Sequence, residues 1–257
     1  MQSYEPRTYR ERMIGGGFGS FTACVEETDL WIGIDRESIS TIGIEQLKAS
    51  TLRTIRRFRG ELEGYIQGHR EFLESLVPVP VGQEAPAPAR KMAAAGKSAG
   101  TGPMAAVAGT AAELVGRSLV SEFPIQEIVV ENGGDLWVSV VRPLTVSVYA
   151  GTSPLSGKMG ILVPPECTPL GICTSSGTVG HSLSFGKSDA VTVACADAAE
   201  ADALATAFGN RIHGYDDIDK AIEGLRRLEQ VVSALIIYRD KAAVCGKCEI
   251  RIIHDKS

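Results

Sequence analysis

Asp202 and Thr206 stand four residues apart in the run Ala198-Ala199-Glu200-Ala201-Asp202-Ala203-Leu204-Ala205-Thr206-Ala207-Phe208. In an α-helix that spacing puts both side chains on one face. After its first turn the run is otherwise apolar all round, which predicts a helix buried on most sides and carrying a single polar stripe. A buried carboxylate is costly unless a cation or several donors meet it. Two readings follow. Either Asp202 caps or braces a neighbouring loop, or Asp202 and Thr206 offer hard oxygen ligands to Mg2+ or a similar ion. Such an ion would complete its shell with backbone carbonyls, water or substrate phosphate.

A second candidate lies upstream, in Cys173-Thr174-Ser175-Ser176-Gly177-Thr178-Val179-Gly180-His181-Ser182-Leu183-Ser184-Phe185-Gly186-Lys187-Ser188-Asp189. A Walker phosphate loop needs four residues between its glycine and its Gly-Lys-Ser/Thr, and a helix immediately after. Here five residues separate Gly180 from Gly186, and Ala190-Val191-Thr192-Val193-Ala194 alternates like a strand. The nucleoside-triphosphatase reading fails on both counts. The hydroxyls of Thr174, Ser175, Ser176 and Thr178 remain, with Gly177 and Gly180 allowing backbone N–H groups close to an anion, so a phosphate or pyrophosphate could still be held. A solvated loop of turn formers is the alternative.

Cys245-Gly246-Lys247-Cys248 has the spacing of a redox pair or of half a zinc site. With no second such pair, a zinc site would have to draw on His254 or a distant cysteine. The pair sits between strand-like segments, where no helix dipole lowers a thiol pKa.

The elements that must position these residues are legible from periodicity. Ser20 to Glu26 and Asp29 to Asp35 predict a hairpin. Leu52, Ile55, Phe58, Leu62, Tyr65 and Ile66 predict an amphipathic helix over Ile44 to Gln67, where Gly60, Gly64 and Gly68 would let another backbone approach. Pro78, Pro80, Pro86 and Pro88 mark an irregular connector near 77–100, and Met104 to Val115 reads as a small-residue helix. Strands follow at Ile128 to Glu131, Leu136 to Val140, Leu144 to Ala150, Gly171 to Thr174 and Ala190 to Ala196. Two helices come next, Ala198 to Phe208 capped by Asp197, and Asp216 to Leu228. Strands at Ala234 to Tyr238 and Glu249 to Ile253 close the chain. Antiparallel-rich sheets with packed helices make an α+β fold.

The totals set limits. The 257 residues, 44% of them hydrophobic, suffice for a sizeable core. With 26 basic against 31 acidic residues and no dense basic tract, nucleic acid is not an expected partner. The polar stretch Met1 to Glu11 and the lack of a long apolar run lead to the expectation of a cytoplasmic chain with reduced thiols and no membrane partner.

Three motifs occur in order: Glu131-Asn132-Gly133-Gly134-Asp135, Cys173-Thr174-Ser175-Ser176-Gly177, and Ala201-Asp202-Ala203-Leu204-Ala205-Thr206. Together they resemble the ApbE-like superfamily, best known for FAD:protein FMN transferases. Gly102 to Gly109, Arg142-Pro143-Leu144-Thr145-Val146 and Ser175 to Lys187 resemble an uncharacterised ApbE-like family of bacteria and archaea more closely, from about Tyr9 to about Ile237. The resemblance implies one ApbE-like domain over 1–257, built as two interlocked lobes. It favours the metal reading of Asp202 and Thr206, with Mg2+ as the ion and the backbone carbonyl near Ala105 as a further ligand. It also implies an FAD or related nucleotide site lined by Asn132, Gly133, Gly134, Asp135, Thr174, Ser175, Ser176, Gly177, Thr178, His181, Met104 and Ala105. The transferases carry His-x-x-Asp-Pro where His181 is followed here by Ser182-Leu183-Ser184-Phe185, and a lysine near the position of Ala108. Members of the closer family are associated with sulfur assimilation, so an acceptor or sulfur-pathway protein is an expected partner. Three functions are carried forward: a Mg2+-dependent flavin or nucleotidyl transferase, a non-catalytic flavin or nucleotide binder acting as an accessory factor, and a cysteine-based sulfur or redox protein.

Overall fold

A computed structural model of the chain describes residues 10, 17–178 and 184–253. Its elements run β1 (Phe18–Val25), β2 (Thr28–Asp35), α1 (Arg36–Ile42), α2 (Ile44–Gly68), α3 (Arg70–Glu74), α4 (Ala87–Ala99), α5 (Val107–Glu122), β3 (Ile128–Asn132) and β4 (Asp135–Ser139). They continue with β5 (Leu144–Ser147), β6 (Met159–Val163), β7 (Leu170–Ser175), β8 (Ala190–Cys195), α6 (Ala198–Gly209), α7 (Asp216–Arg226), β9 (Val231–Tyr238), β10 (Lys241–Gly246) and β11 (Ile250–Ile252). The fold is α+β. Eight strands form one sheet in the order β1-β2-β3-β4-β7-β8-β9-β10, and β11-β6-β5 form a second. Every pairing is antiparallel.

Both faces of the large sheet are covered, and this explains why β2, β3 and β8 are buried at every position. Ile32, Val130, Trp137, Cys173, Val193 and Ile236 point to one side, where they meet Ile55, Met92, Val115, Leu204 and Leu225 of the helices. The alternate residues Val129, Val138, Leu170, Ile172 and Ala194 point to the other and meet Ile161 and Val163 of the small sheet.

At the centre of the helix layer lies α6. Its cap is the expected one: the Asp197 carboxylate accepts from the N–H groups of Ala199 and Glu200 at 2.9 and 3.3 Å. Alanines let this helix lie close on the sheet. A Cβ on Gly171 would come within 2.3 Å of the Ala198 Cα.

Three expectations need correction. The irregular connector does not reach 100, because Ala87–Ala99 is helical. Pro86 precedes that helix and Pro88 occupies its first turn, where a missing N–H leaves no hydrogen bond unmade. The small-residue helix begins later and runs further than Met104 to Val115; Pro103–Ala106 is a 3-10 turn and α5 continues to Glu122. Finally, among the described residues no backbone approaches Gly60, Gly64 or Gly68, since a Cβ at each would meet nothing within 4 Å. Close approach occurs instead at Gly109 and Gly116 of α5, whose Cβ would lie 2.3 Å from the Ala198 carbonyl oxygen and 2.1 Å from the Trp137 ring.

Candidate functional site

Four segments converge on the helix side of the large sheet: the β3–β4 turn, the end of β7, the first turn of α5 and the middle of α6. The β3–β4 turn has only Gly133 and Gly134 between the paired residues Asn132 and Asp135. Their φ values are +67° and +101°, the left-handed conformation that a two-residue hairpin turn requires at both positions. Because Asn132 and Asp135 oppose one another across the ladder, their side chains share a face. Asn132 Nδ2 donates to the Ala108 carbonyl at 3.3 Å, tying the turn to α5. Asp135 Oδ1 accepts from the Thr174 N–H at 3.1 Å, while the neighbouring Cys173 thiol donates to the Ala198 carbonyl at 3.4 Å.

Asp202 is 8% exposed and its Oδ2 accepts from the Gly109 N–H at 2.9 Å. The Ala108 N–H also favours its charged form. Ala106 precedes α5 and offers no side-chain cap, so Asp202 caps α5 from the neighbouring helix, at the positive end of its dipole. Burial, partly offset by the two amides, pushes the Asp202 carboxyl up to about 7. Asp135 is raised well above the ordinary carboxylate range by burial first and by the Asp202 charge second. Burial and these two carboxylates also raise the Cys173 thiol. Bonds to Asp135 and Asp202 among the described residues come from backbone amides, and no lysine or arginine pairs with either. Two buried carboxylates side by side cannot both ionise without a cation or a shared proton.

Thr206 lies one turn along α6 and is half-buried. Carboxylates and a hydroxyl are hard-oxygen donors of the kind Mg2+ takes, with the remaining positions left to carbonyls, water or phosphate. Among the described residues no three His, Cys, Asp or Glu side chains gather into a metal cluster. A metal held here would thus be only partly ligated by charged side chains. Met104 and Ala105 are half-buried on the 3-10 turn that leads into α5.

The serine and glycine loop is arranged differently from the expectation. Thr174 shares its sheet face with Leu170 and Ile172, and its hydroxyl meets that of Thr192 at 2.9 Å, so only its backbone N–H serves the Asp135 side. The Gly177 N–H is taken by the Ser188 carbonyl at 2.8 Å. Gly177 is small because chain packs on chain there, a Cβ lying 2.2 Å from the Gly186 oxygen. Ser176 Oγ accepts from the Thr178 N–H at 3.1 Å, and Thr178 Oγ1 donates to Asp189 at 3.2 Å, so both hydroxyls brace the loop itself. Ser175 does face α6, its Oγ 3.2 Å from where a Cβ on Gly209 would stand. His181 and Gly180 lie outside the described residues, as does His254.

Two features escaped the sequence reading. Glu113, with 2% exposure, accepts from the Ala198 N–H at 2.8 Å, from Arg117 at 2.6 Å and from Lys91 at 3.2 Å. Lys91 also bonds Asp197, so α4, α5 and the start of α6 are locked together. In sequence Glu113 and Arg117 look like an ordinary surface pair. In sequence Asp135 belongs to a ligand-binding turn, and its lone charge at the head of an apolar strand is the signal of a buried carboxylate. Arg142, part of one family signature, braces buried Glu127 and lies apart from this site.

Comparison with known proteins adds the following. The family model described as AbpE bacteria matches residues 10–227. A UPF0280 protein of Methanocella arvoryzae is 42% identical over 213 residues, covering 82% of this chain and 86% of its own. A UPF0280 protein of Methanococcus vannielii is 36% identical over 236 residues, covering 90% and 92%. Among solved structures, the ApbE protein of Thermotoga maritima superimposes with a TM-score of 0.55 at 13% identity, over 88% of this chain and 96% of that one. This last likeness concerns the fold.

Proposed function

We propose, because this chain belongs to the AbpE bacteria family, that it binds the pyrophosphate of FAD or a related nucleotide over Mg2+ held at Asp202, Thr206 and Asp135. On this reading it is a flavin or nucleotidyl transferase-like enzyme that acts on an acceptor protein. The observation that carries the reading is the Asp135 and Asp202 pair: two buried carboxylates, raised by burial, with no cationic side chain beside them among the described residues. The ligand class comes from the resemblance of the three ordered motifs.

Each residue then has a separate task. Asp202 keeps one oxygen on the Gly109 amide, which fixes its rotamer and leaves the other for the ion. Asp135 is held in register by Thr174. The Thr206 hydroxyl adds a neutral oxygen from the next turn. Gly133 and Gly134 carry no side chain, so a ligand can lie against their backbone. Met104 and Ala105 cover it from the turn before α5. Magnesium, when bound, supplies positive charge that draws electron density from the pyrophosphate during in-line transfer. A cysteine-based sulfur chemistry at Cys245 and Cys248 finds no support, because Cys245 packs in the helix layer and Cys248 on the opposite face of the sheet.

The test is a thermal-shift titration with FAD, with and without Mg2+, on the wild type and on Asp202→Asn, which keeps an acceptor for Gly109. Joint stabilisation by FAD and Mg2+ in the wild type and its loss in the variant are expected. Equal responses of the two proteins would refute the site. Chromatography of the same mixtures for released AMP or FMN separates a transferase from a binder without turnover.

A further inference from the structure

Glu131 is buried on the face of the large sheet opposite to that of its neighbour Asn132 and of Asp135. Its ladder partners, Trp31 of β2 and Leu136 of β4, both pack in the layer between the two sheets. From that side its Oε1 accepts from the Gly134 N–H at 2.8 Å, and its Oε2 accepts from Arg10 Nε at 2.7 Å. The same guanidinium donates to Asp29 Oδ2 through Nη1 and to the Asp29 carbonyl through Nη2, each at 2.9 Å. Arg10 therefore joins the start of β2 to the end of β3, directly beneath the glycine turn. All three charged side chains are little exposed to water, where such a forked, charge-assisted arrangement is at its strongest.

A trans peptide points its N–H and its C=O in opposite directions. Because Gly134 gives its N–H to Glu131, the Gly133 carbonyl across the same peptide is turned away from Glu131, to the side on which Asp135 and Asp202 stand. Glycine at both turn positions does not by itself fix this orientation, since Gly-Gly also suits the II′ hairpin turn, whose central peptide is reversed. We propose that Arg10 and Glu131 are positioning residues of the candidate site: they hold the 133–134 peptide so that the exposed Gly133 carbonyl is presented as an acceptor to an N–H or O–H of the bound nucleotide. Glu131 selects the orientation, and Arg10 keeps Glu131 charged and in place. What meets the carbonyl rests on the nucleotide reading above, whereas the clamp on the turn does not.

The experiment labels the full-length protein with 15N-glycine, measures amide hydrogen exchange by NMR, and titrates FAD in the presence of Mg2+ by calorimetry. It compares the wild type with Arg10→Met, Arg10→Lys and Glu131→Gln. In the wild type the Gly134 amide should exchange at least about tenfold more slowly than a free amide. In Arg10→Met that rate should rise about tenfold while Gly33 and Gly171, inside β2 and β7, stay protected, and FAD should bind about tenfold more weakly. Arg10→Lys should recover part of both losses, because it restores the charge without the fork. Glu131→Gln keeps an oxygen for Gly134 and should fall between wild type and Arg10→Met. Free exchange of Gly134 in the unmutated chain would overturn the clamp, and a rise shared by Gly33 and Gly171 would mark a structural tie only and overturn it as well. Selective loss of Gly134 protection with FAD affinity unchanged would overturn the positioning role. Should the wild type itself ignore FAD, the nucleotide reading and the Gly133 contact fail together, and exchange at Gly134 still decides the clamp.

Discussion

The Gly109 amide donates to the Asp202 carboxylate at 2.9 Å, so an acidic side chain of α6 closes the first turn of α5 while facing Asp135. Brace and candidate metal ligand are thus one residue. The two readings of Asp202 are compatible, because a carboxylate has a second oxygen to offer.

The pH dependence of stability follows from the raised carboxyls. Asp202 is pushed up to about 7 in the folded chain, whereas an unfolded aspartate titrates near about 4. The folded state therefore binds more protons between those values. Its contribution is fully present below about pH 4 and is lost as pH rises through about 7. Melting temperature of the metal-free protein should fall between about pH 5 and about pH 8, and Mg2+ should restore more at the upper end. Asp202→Asn should flatten the fall. A flat profile in the wild type, measured by calorimetry, would contradict the buried pair.

Gly109→Ala tests the helix contact. The new Cβ would stand 2.3 Å from the Ala198 oxygen and 3.0 Å from the Asp202 Cβ, so α5 and α6 must separate. A loss of about 2 kcal/mol in urea denaturation is expected, together with a weakened Mg2+ response.

Glu113→Ala should cost about 3 kcal/mol, since it strips Lys91 and the Ala198 N–H of a buried partner. Lys91→Met removes a half-exposed cation and should cost about 1 kcal/mol or less. The difference in urea midpoints distinguishes a buried anchor from a surface pair.

Gly64→Ala should act in the opposite direction. Nothing lies within 4 Å of the new Cβ, and alanine is the better helix former by about 0.5–1 kcal/mol. A raised midpoint is expected.

No helix among the described residues is long and apolar enough to cross a membrane. That agrees with the sequence, where polar residues interrupt every apolar run.

Residue order alone determined the helices that carry a stripe and a cap. Asp197 begins α6 where expected, Ile44 begins α2, and the isolated charge of Asp202 among alanines is a buried one. These properties depend on neighbours within one or two turns, which periodicity records. Tertiary structure decided what each buried group meets. Thr174 turned out to give its amide and not its hydroxyl, because strand register assigns alternate side chains to opposite faces of the sheet. Cys245 packs from β10 into the helix layer, while Cys248, past the end of that strand, packs into the layer between the two sheets. Asp135 finds Asp202 only once a glycine turn and two helices close on the sheet. Such pairings join residues far apart in the chain, and local spacing holds no record of them.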